Sequence, residues 1–289
     1  MLTALDYEFD KCVERLTKRS EKILKKVLTI AGSDCSGGAG IQADLKTFSA
    51  HGLYGMSVIV SVVAENTSRV IDIQDISTDM IQKQIDAVFE DIEVDAIKIG
   101  MLSGRDCMQA VCEGLEKYRP KNIVIDPVML AKGGHALMQE NALEFFKTRL
   151  IPFADMLTPN IPEAEAITSM KIATVEDMKE AAELIYSMGA KSVLVKGGHL
   201  MGDAEDILYD GNNFFSFTTK RINTKNTHGT GCTFSSAIAS NLALGMDCYK
   251  AVEKAKKYVT MAIEHSLDIG KGHGPTNHFY KLYLNGLND

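Results

Sequence analysis

A chain of 289 residues with 45% hydrophobic side chains can bury a large core, as one big α/β domain or two smaller ones. A net charge of −7 and no basic stripe with interleaved aromatics argue against a nucleic-acid surface, and no apolar run approaches the ~18 residues of a membrane span. The first 25 residues are charged throughout, unlike a signal peptide, and the 6 cysteines have no metal-ligand spacing, so the expectation is a cytoplasmic protein with reduced thiols that acts on small molecules.

Residues 1–25 place Leu5, Phe9, Val13, Leu16 and Ile23 at helical spacing among many charges, which predicts an amphipathic helical extension. Its apolar stripe needs a cover, either the body of the same chain or another subunit. No Pro/Gly/Ser-rich linker and no repeat follow, so residues 26–289 are expected to form a single domain.

Lys26 to Ala31, KVLTIA, reads as a strand that runs through the turn GSDCSGGAG into a helix with Ile41, Leu45 and Phe48 on one face. The glycines of that turn do not give the dinucleotide spacing G-x-G-x-x-G, but they suit close approach of a ligand to the backbone. Strands are then expected at Met56 to Val63, Val94 to Ile99, Asn122 to Asp126 and Ser192 to Lys196, with a strand edge in MLTPN at 156–160. Helices are expected at Thr78 to Ile92, Arg105 to Tyr118, near 139–149, at Glu176 to Met188 and at Tyr249 to about Leu267. Asp206 to Thr218 reads as two antiparallel strands around Asp210, Gly211 and Asn212. Strands alternating with helices predict a mainly parallel sheet covered on both faces.

Asn223 to Ser236, NTKNTHGTGCTFSS, is where a loop becomes a helix. Gly229 and Gly231 allow consecutive N–H groups to face one side, and the positive helix end points the same way, which is an anion cradle. Cys232 falls in the first helical turn, where the dipole is expected to lower a reference thiol pKa of about 8.5. A cradle containing a base suggests phosphoryl transfer; an ordinary loop with an inert cysteine is the plainer alternative. GTGCT lacks the lysine of a Walker A loop. In open parallel sheets ligands bind beyond the carboxyl ends of the strands. There this chain gathers Gly32 to Gly40, Glu65, Lys98 to Met101, Asp126 to Gly134, Asn160 to Glu163 and Lys196 to His199. The loop LAKGGHAL after Asp126 could move over such a site.

Taken in order, TIAGSDCSGGAGIQADLKTF, VVAENT, KIGML, DPVMLAKGG, TPNIPEAE, VKGGH and NTKNTHGTGCT resemble the hydroxymethylpyrimidine/phosphomethylpyrimidine kinases of thiamine biosynthesis, in the ribokinase-like superfamily. The similarity covers about residues 26–282 and leaves 1–25 outside. It implies a three-layer α/β/α domain, MgATP as donor, an aminopyrimidine alcohol and its monophosphate as successive acceptors, and a homodimer. It further implies an anion hole at Gly229, Thr230, Gly231 and Cys232. Asn160 and Glu163 would place Mg²⁺ and the phosphates, with Asp126 as a carboxylate acting on the metal through water. Lys196 and Lys132 would contact phosphate, and Gly32, Asp44, Glu65, Met101 and Val128 would line the pyrimidine pocket.

For several of these residues a plainer reading stands beside the functional one. Asp44 could be merely solvated on its helix, Asp126 could cap its strand before Pro127, and Glu65 could point away from the pocket. His199 and His228 read as loop histidines, since Mg²⁺ prefers carboxylates, phosphates and water. Two positions depart from the family pattern. Glu65 stands where many relatives have Gln, and Ala131 and Lys132 follow DPVM where some relatives active on pyridoxal have a second Cys, which excludes a paired-thiol mechanism. An ionised Glu65 would hold the pyrimidine amino group but repel the ring nitrogen unless a proton is shared, and it would disfavour pyridoxal. Pyridoxal kinase and a non-catalytic binding protein on the same fold are the competing readings.

Overall fold

The computed structural model describes residues 24–130, 134, 136–198 and 202–286; the amphipathic extension at 1–25 therefore lies almost wholly outside the described residues. In chain order these form β1 (Lys26–Ala31), α1 (Gly40–Ala50), β2 (Tyr54–Ile59), β3 (Ser61–Glu65), β4 (Val70–Asp75), α2 (Thr78–Phe89), β5 (Ala96–Ile99), α3 (Arg105–Tyr118) and β6 (Ile123–Ile125). After an irregular helical stretch over 140–153 come β7 (Met156–Leu157), α4 (Ile161–Thr168), α5 (Val175–Ser187), β8 (Val193–Lys196), β9 (Ala204–Tyr209) and β10 (Phe214–Thr219). The chain continues through α6 (Thr230–Ala243), α7 (Cys248–Glu264) and α8 (Tyr280–Asn285).

Eight strands form one sheet in the order β10-β9-β8-β7-β6-β5-β1-β2. Every neighbouring pair from β8 through β2 is parallel, and β9 runs antiparallel to both β8 and β10. Successive strand residues serve opposite faces: Val27, Ala96, Val124, Met156 and Leu194 pack with Phe48 of α1, Phe234 and Ile238 of α6 and Val252 of α7. Leu28, Ile97, Ile125 and Val193 pack instead with Ile81, Met108, Ile167 and Ile185 from the helices of the other layer. Burial on both faces is why the strands read as continuous apolar runs, and the result is the expected three-layer α/β/α sandwich. Among the described residues no helix is long and apolar enough to cross a membrane.

Two expectations change. The single strand read over Met56 to Val63 breaks at Val60: β2 stays in the main sheet, while β3 leaves it and pairs with β4 as a separate antiparallel hairpin. An unbroken apolar run carries no signal for a change of partner, and β4, with its weakly apolar VIDIQD, was not anticipated. The helix expected near 139–149 is instead a mixture of 3₁₀, α and π turns that ends at Ile151–Phe153, where Pro152 cannot supply a backbone donor.

Candidate active site

The β1–α1 loop and the loop before α6 interlock. Gly229, at φ 75°, ends its loop so close to Gly38 that an added Cβ would run into the Gly38 carbonyl, and a Cβ on Gly38 would strike the His228 ring. These two glycines are approached by the protein's own backbone and side chains, not by a free ligand surface. Thr230 donates its hydroxyl to the Thr227 carbonyl at 2.8 Å, and the α6 ladder begins with Thr233 N–H donating to Gly229 O at 2.8 Å. The first turn of α6, with Gly231 and Cys232 half-buried, therefore presents its amino end on a rigid base.

Behind this turn lie two buried ion pairs. Lys98 of β5 donates to Asp44 of α1 at 2.9 Å, and neither side chain is more than 1% exposed. Thr29 and Ser236 complete the shell of Asp44 with hydroxyl donors at 2.6 and 2.7 Å. Burial works against the Lys98 charge, but Asp44, Cys232 and Asp126 around it hold its pKa above the ordinary lysine value. Asp44 is thus neither solvated nor open: its carboxylate is spent on Lys98, Thr29 and Ser236. The second pair joins Lys196, at the end of β8, to Asp126, at the end of β6, at 2.7 Å. Thr158 and the α6 residue Ser235 add hydroxyls to Asp126 at 3.3 and 3.2 Å. An added Cβ on Gly231 would sit 3.4 Å from Asp126 Oδ2 and 3.6 Å from Lys196 Nζ, which puts this pair against the cradle. Lys196 pushes Asp126 below the usual carboxylate range despite its burial.

Cys232 differs from expectation. Its thiol is pushed up to about 11 because burial, seconded by Asp44 and Asp126, outweighs the pull of Lys98 and of the Gly40 N–H. The two carboxylates beside it were not visible in the local motif. The thiol rests protonated, not as a preformed thiolate.

Asn160 and Glu163 make a reciprocal cap on α4: the Asn160 side chain accepts the Glu163 N–H at 2.9 Å, and Glu163 Oε2 accepts the Asn160 N–H at 2.7 Å. Burial raises the Glu163 carboxyl to about 7 against the pull of Lys196, and Asp126 adds to the rise. Asp126 and Glu163 are the hard oxygen donors next to Lys196, and that donor chemistry fits a divalent cation held through water and phosphate oxygens. Lys132, Ala131 and His199 lie outside the described residues.

Of the residues expected to line the pyrimidine pocket, the structure brings Gly32 against Met101, whose sulfur would lie 3.1 Å from a Cβ added there, with Val128 half-buried near the Asp126 strand end. Glu65, at the end of β3, faces Asp34 and His228, and donor atoms of the three lie within 4.8 Å of one another. His228 Nε2 is 2.8 Å from Asp34 Oδ2, and both residues are buried. Asp34 also accepts the N–H groups of Ser36, Gly38 and Ala39 at 2.7, 2.9 and 2.7 Å. With its oxygens engaged this way Asp34 works as a clasp between loops, not as an open cation ligand. Asp34 was not singled out from sequence, and His228 was read only as a loop histidine. A faint signal existed: Asp at the head of DCS is placed to accept the N–H two residues on.

A mostly parallel sheet with helices on both faces and a helix amino end beside two lysine–carboxylate pairs are the features of a ribokinase-like phosphotransferase. The family described as phosphomethylpyrimidine kinase matches residues 34–277. The chain is 46% identical over 256 residues to the hydroxymethylpyrimidine/phosphomethylpyrimidine kinase of Bacillus subtilis, covering 88% of this chain and 94% of that one. It is 50% identical over 253 residues to the thiamine biosynthesis bifunctional protein ThiED of Geobacter sulfurreducens, covering 87% of this chain but 52% of that longer protein. Among solved structures, an ADP complex of Bacillus subtilis pyridoxal kinase superposes with a TM-score of 0.83 at 40% identity, over 91% of this chain and 100% of that one. The chain belongs to the phosphomethylpyrimidine kinase family.

Proposed function

We propose that this enzyme transfers the γ-phosphoryl group of ATP to the hydroxymethyl group of 4-amino-5-hydroxymethyl-2-methylpyrimidine, and then phosphorylates the monophosphate to the diphosphate, in thiamine biosynthesis. The observation that carries the reading is the α6 amino end at Gly229 to Cys232 set against the Asp126–Lys196 pair, with Glu65, Gly32 and Met101 on the acceptor side. Backbone N–H groups and the helix dipole would stabilise charge on the transferring group. Lys196, with Lys132, would neutralise phosphate charge, and Asn160 with Glu163 would hold the donor end. Glu163 and Asp126 would hold Mg²⁺ through water, and the bound ion would supply positive charge against the phosphates.

A Cys232 that rests as a thiol supports a donor role in the anion hole. The alcohol would keep its proton until its oxygen bonds to phosphorus as the ADP oxygen leaves, and would then pass it to an oxygen of the transferred phosphoryl group, whereas the monophosphate already carries an anionic oxygen because its second pKa is about 6. The continuous eight-stranded sheet supports a single domain over 26–289, and the ATP donor and free thiols support a cytoplasmic setting. The β3–β4 hairpin leaves Val62 49% and Ile71 61% exposed, and a two-stranded ribbon is marginal alone, which supports a homodimer covering it. A single monomer mass in sedimentation equilibrium would reject the dimer.

Pyridoxal kinase is the second reading, favoured by the likeness to the Bacillus subtilis enzyme. Coupled ADP-release assays with the pyrimidine alcohol, its monophosphate and pyridoxal separate the two. Turnover of both pyrimidines with weak turnover of pyridoxal is expected, and ADP release with pyridoxal alone would overturn the proposal.

A further inference from the structure

Glu65 is a carboxylate standing where a flat heterocycle with adjoining amino and ring-nitrogen groups has to be read. An ionised carboxylate offers two acceptors to an edge that presents one donor and one acceptor, whereas a neutral carboxyl offers one of each, as an amide does. The question is what would keep the proton there at neutral pH.

The surroundings of Glu65 answer it. From the β1–α1 loop it faces Asp34, and the Cys35 thiol brackets its backbone, 3.1 Å from Glu65 O and 3.4 Å from Glu65 N. From the loop before α6 it faces His228, and across the hairpin β4 brings uncharged Val70 into register. Two carboxyl groups this close cannot both ionise cheaply, so one proton serves the pair. The hydrogen bonds decide which partner keeps it. Burial works against the Asp34 charge, but three backbone N–H groups and a bond from the His228 ring favour its charged form and outweigh it. Among the described residues no hydrogen bond comparable to those favours the anion of Glu65. Burial, with Asp34 second, raises the Glu65 carboxyl to about 7.

We propose that Asp34, held ionised by His228 and the loop N–H groups, keeps the proton on Glu65, and that the neutral Glu65 carboxyl reads the aminopyrimidine edge as a donor–acceptor pair. The inference deepens the proposed function and rests on Glu65 facing the pyrimidine. It makes Asp34 and His228 positioning residues for specificity, and it ties the acceptor pocket to the loop that carries the anion cradle, since His228 immediately precedes Gly229.

Two measurements on the intact protein without ATP test it. The first is a ¹³C-carboxyl titration of Glu65, assigned by its disappearance in Glu65→Gln. The second is calorimetric binding of the pyrimidine alcohol from pH 5.5 to 9 to wild type, Glu65→Gln, Asp34→Asn and His228→Gln. The Glu65→Gln profile carries any titration of the pyrimidine itself and serves as the reference. Relative to it, wild-type affinity should hold below pH 6 and fall about tenfold per pH unit above 7. Asp34→Asn should move both midpoints at least one unit toward acid. His228→Gln leaves the three loop N–H bonds to hold Asp34 ionised and removes the His228 ring, which by itself favours the Glu65 anion, so it should move them toward alkali, and opposite displacements are not what a collapsed loop produces. A Glu65 midpoint in the ordinary glutamate range, or one unmoved by Asp34→Asn, overturns the proposal. A midpoint near 7 with a wild-type to Glu65→Gln affinity ratio that is flat with pH also overturns it, by showing that Glu65 does not face the pyrimidine. No binding of the pyrimidine by any variant would instead sink the proposed substrate, and the proposal with it, while the carboxyl titration would still report whether the proton is shared.

Discussion

Cys232 sits in the first turn of α6 with Lys98 on one side and the carboxylates of Asp44 and Asp126 near enough to oppose its ionisation. With the thiol at about 11, roughly one molecule in ten thousand carries a thiolate at pH 7, so alkylation should be slow and rise about tenfold per pH unit. Peptide mapping after iodoacetamide treatment should find exposed Cys35 modified well before Cys232. Rapid labelling of Cys232 at pH 7 would restore the thiolate base that the helix position alone suggests. Lys98 lends itself to a second test at this scale. Removing one member of a fully buried pair leaves the other charge uncompensated, so Lys98→Met should cost about 3–5 kcal/mol in denaturant unfolding. Lys98→Met combined with Asp44→Leu should recover much of that, and simple additivity of the two losses would mean the charges do not stabilise each other.

At the level of elements, the reciprocal cap on α4 separates two duties of Glu163 that a single alanine substitution would mix. Glutamine can still accept the Asn160 N–H but carries no charge. Glu163→Gln should therefore keep the thermal midpoint within a degree or two while lowering turnover with MgATP. Glu163→Ala should lose the cap as well, at about 1 kcal/mol. Pyrimidine binding should change little in either. If Glu163→Gln turns over like wild type, Glu163 serves the helix end and not the metal. The interlocked loops are the other element-scale device: Asp34 and His228 are 194 residues apart in the chain and hydrogen-bonded in the fold, so one clasp ties the β1–α1 loop to the loop before α6.

Across the whole molecule, the raised glutamates leave a signature in stability. Glu65 shifts from 4.5 to about 7, so between those values the folded state holds a proton that the unfolded chain has released. The folded state then binds more protons, and stability falls as pH rises through this window. Thermal midpoints at pH 5, 6, 7 and 8 should show wild type losing stability relative to Glu65→Gln up to about pH 7, with the difference level beyond it. His278, lowered by burial from 6.5 to about 4, works in the opposite direction between those values in both proteins and so cancels from the comparison. A difference that does not change with pH would place Glu65 in the ordinary range.

The sequence by itself determined the layers and most of the elements. Strands buried on both faces must be continuous apolar runs, helices on a sheet must carry a stripe, and a Gly-rich loop entering a helix must expose N–H groups, so each of these is written locally. The bounds of α3, the antiparallel pair around Asp210 and the start of α6 near Gly231 followed from such patterns. Only the tertiary structure decided that the run through Val60 changes sheets, that Gly38 and Gly229 make room for each other, and that Asp44 spends its carboxylate on Lys98. It also decided the charge of the site: Cys232 is held neutral and Glu65 shares a proton with Asp34 because of groups tens to hundreds of residues away. A protonation state depends on burial and on every nearby charge at once, and a one-dimensional pattern records neither distance nor dielectric.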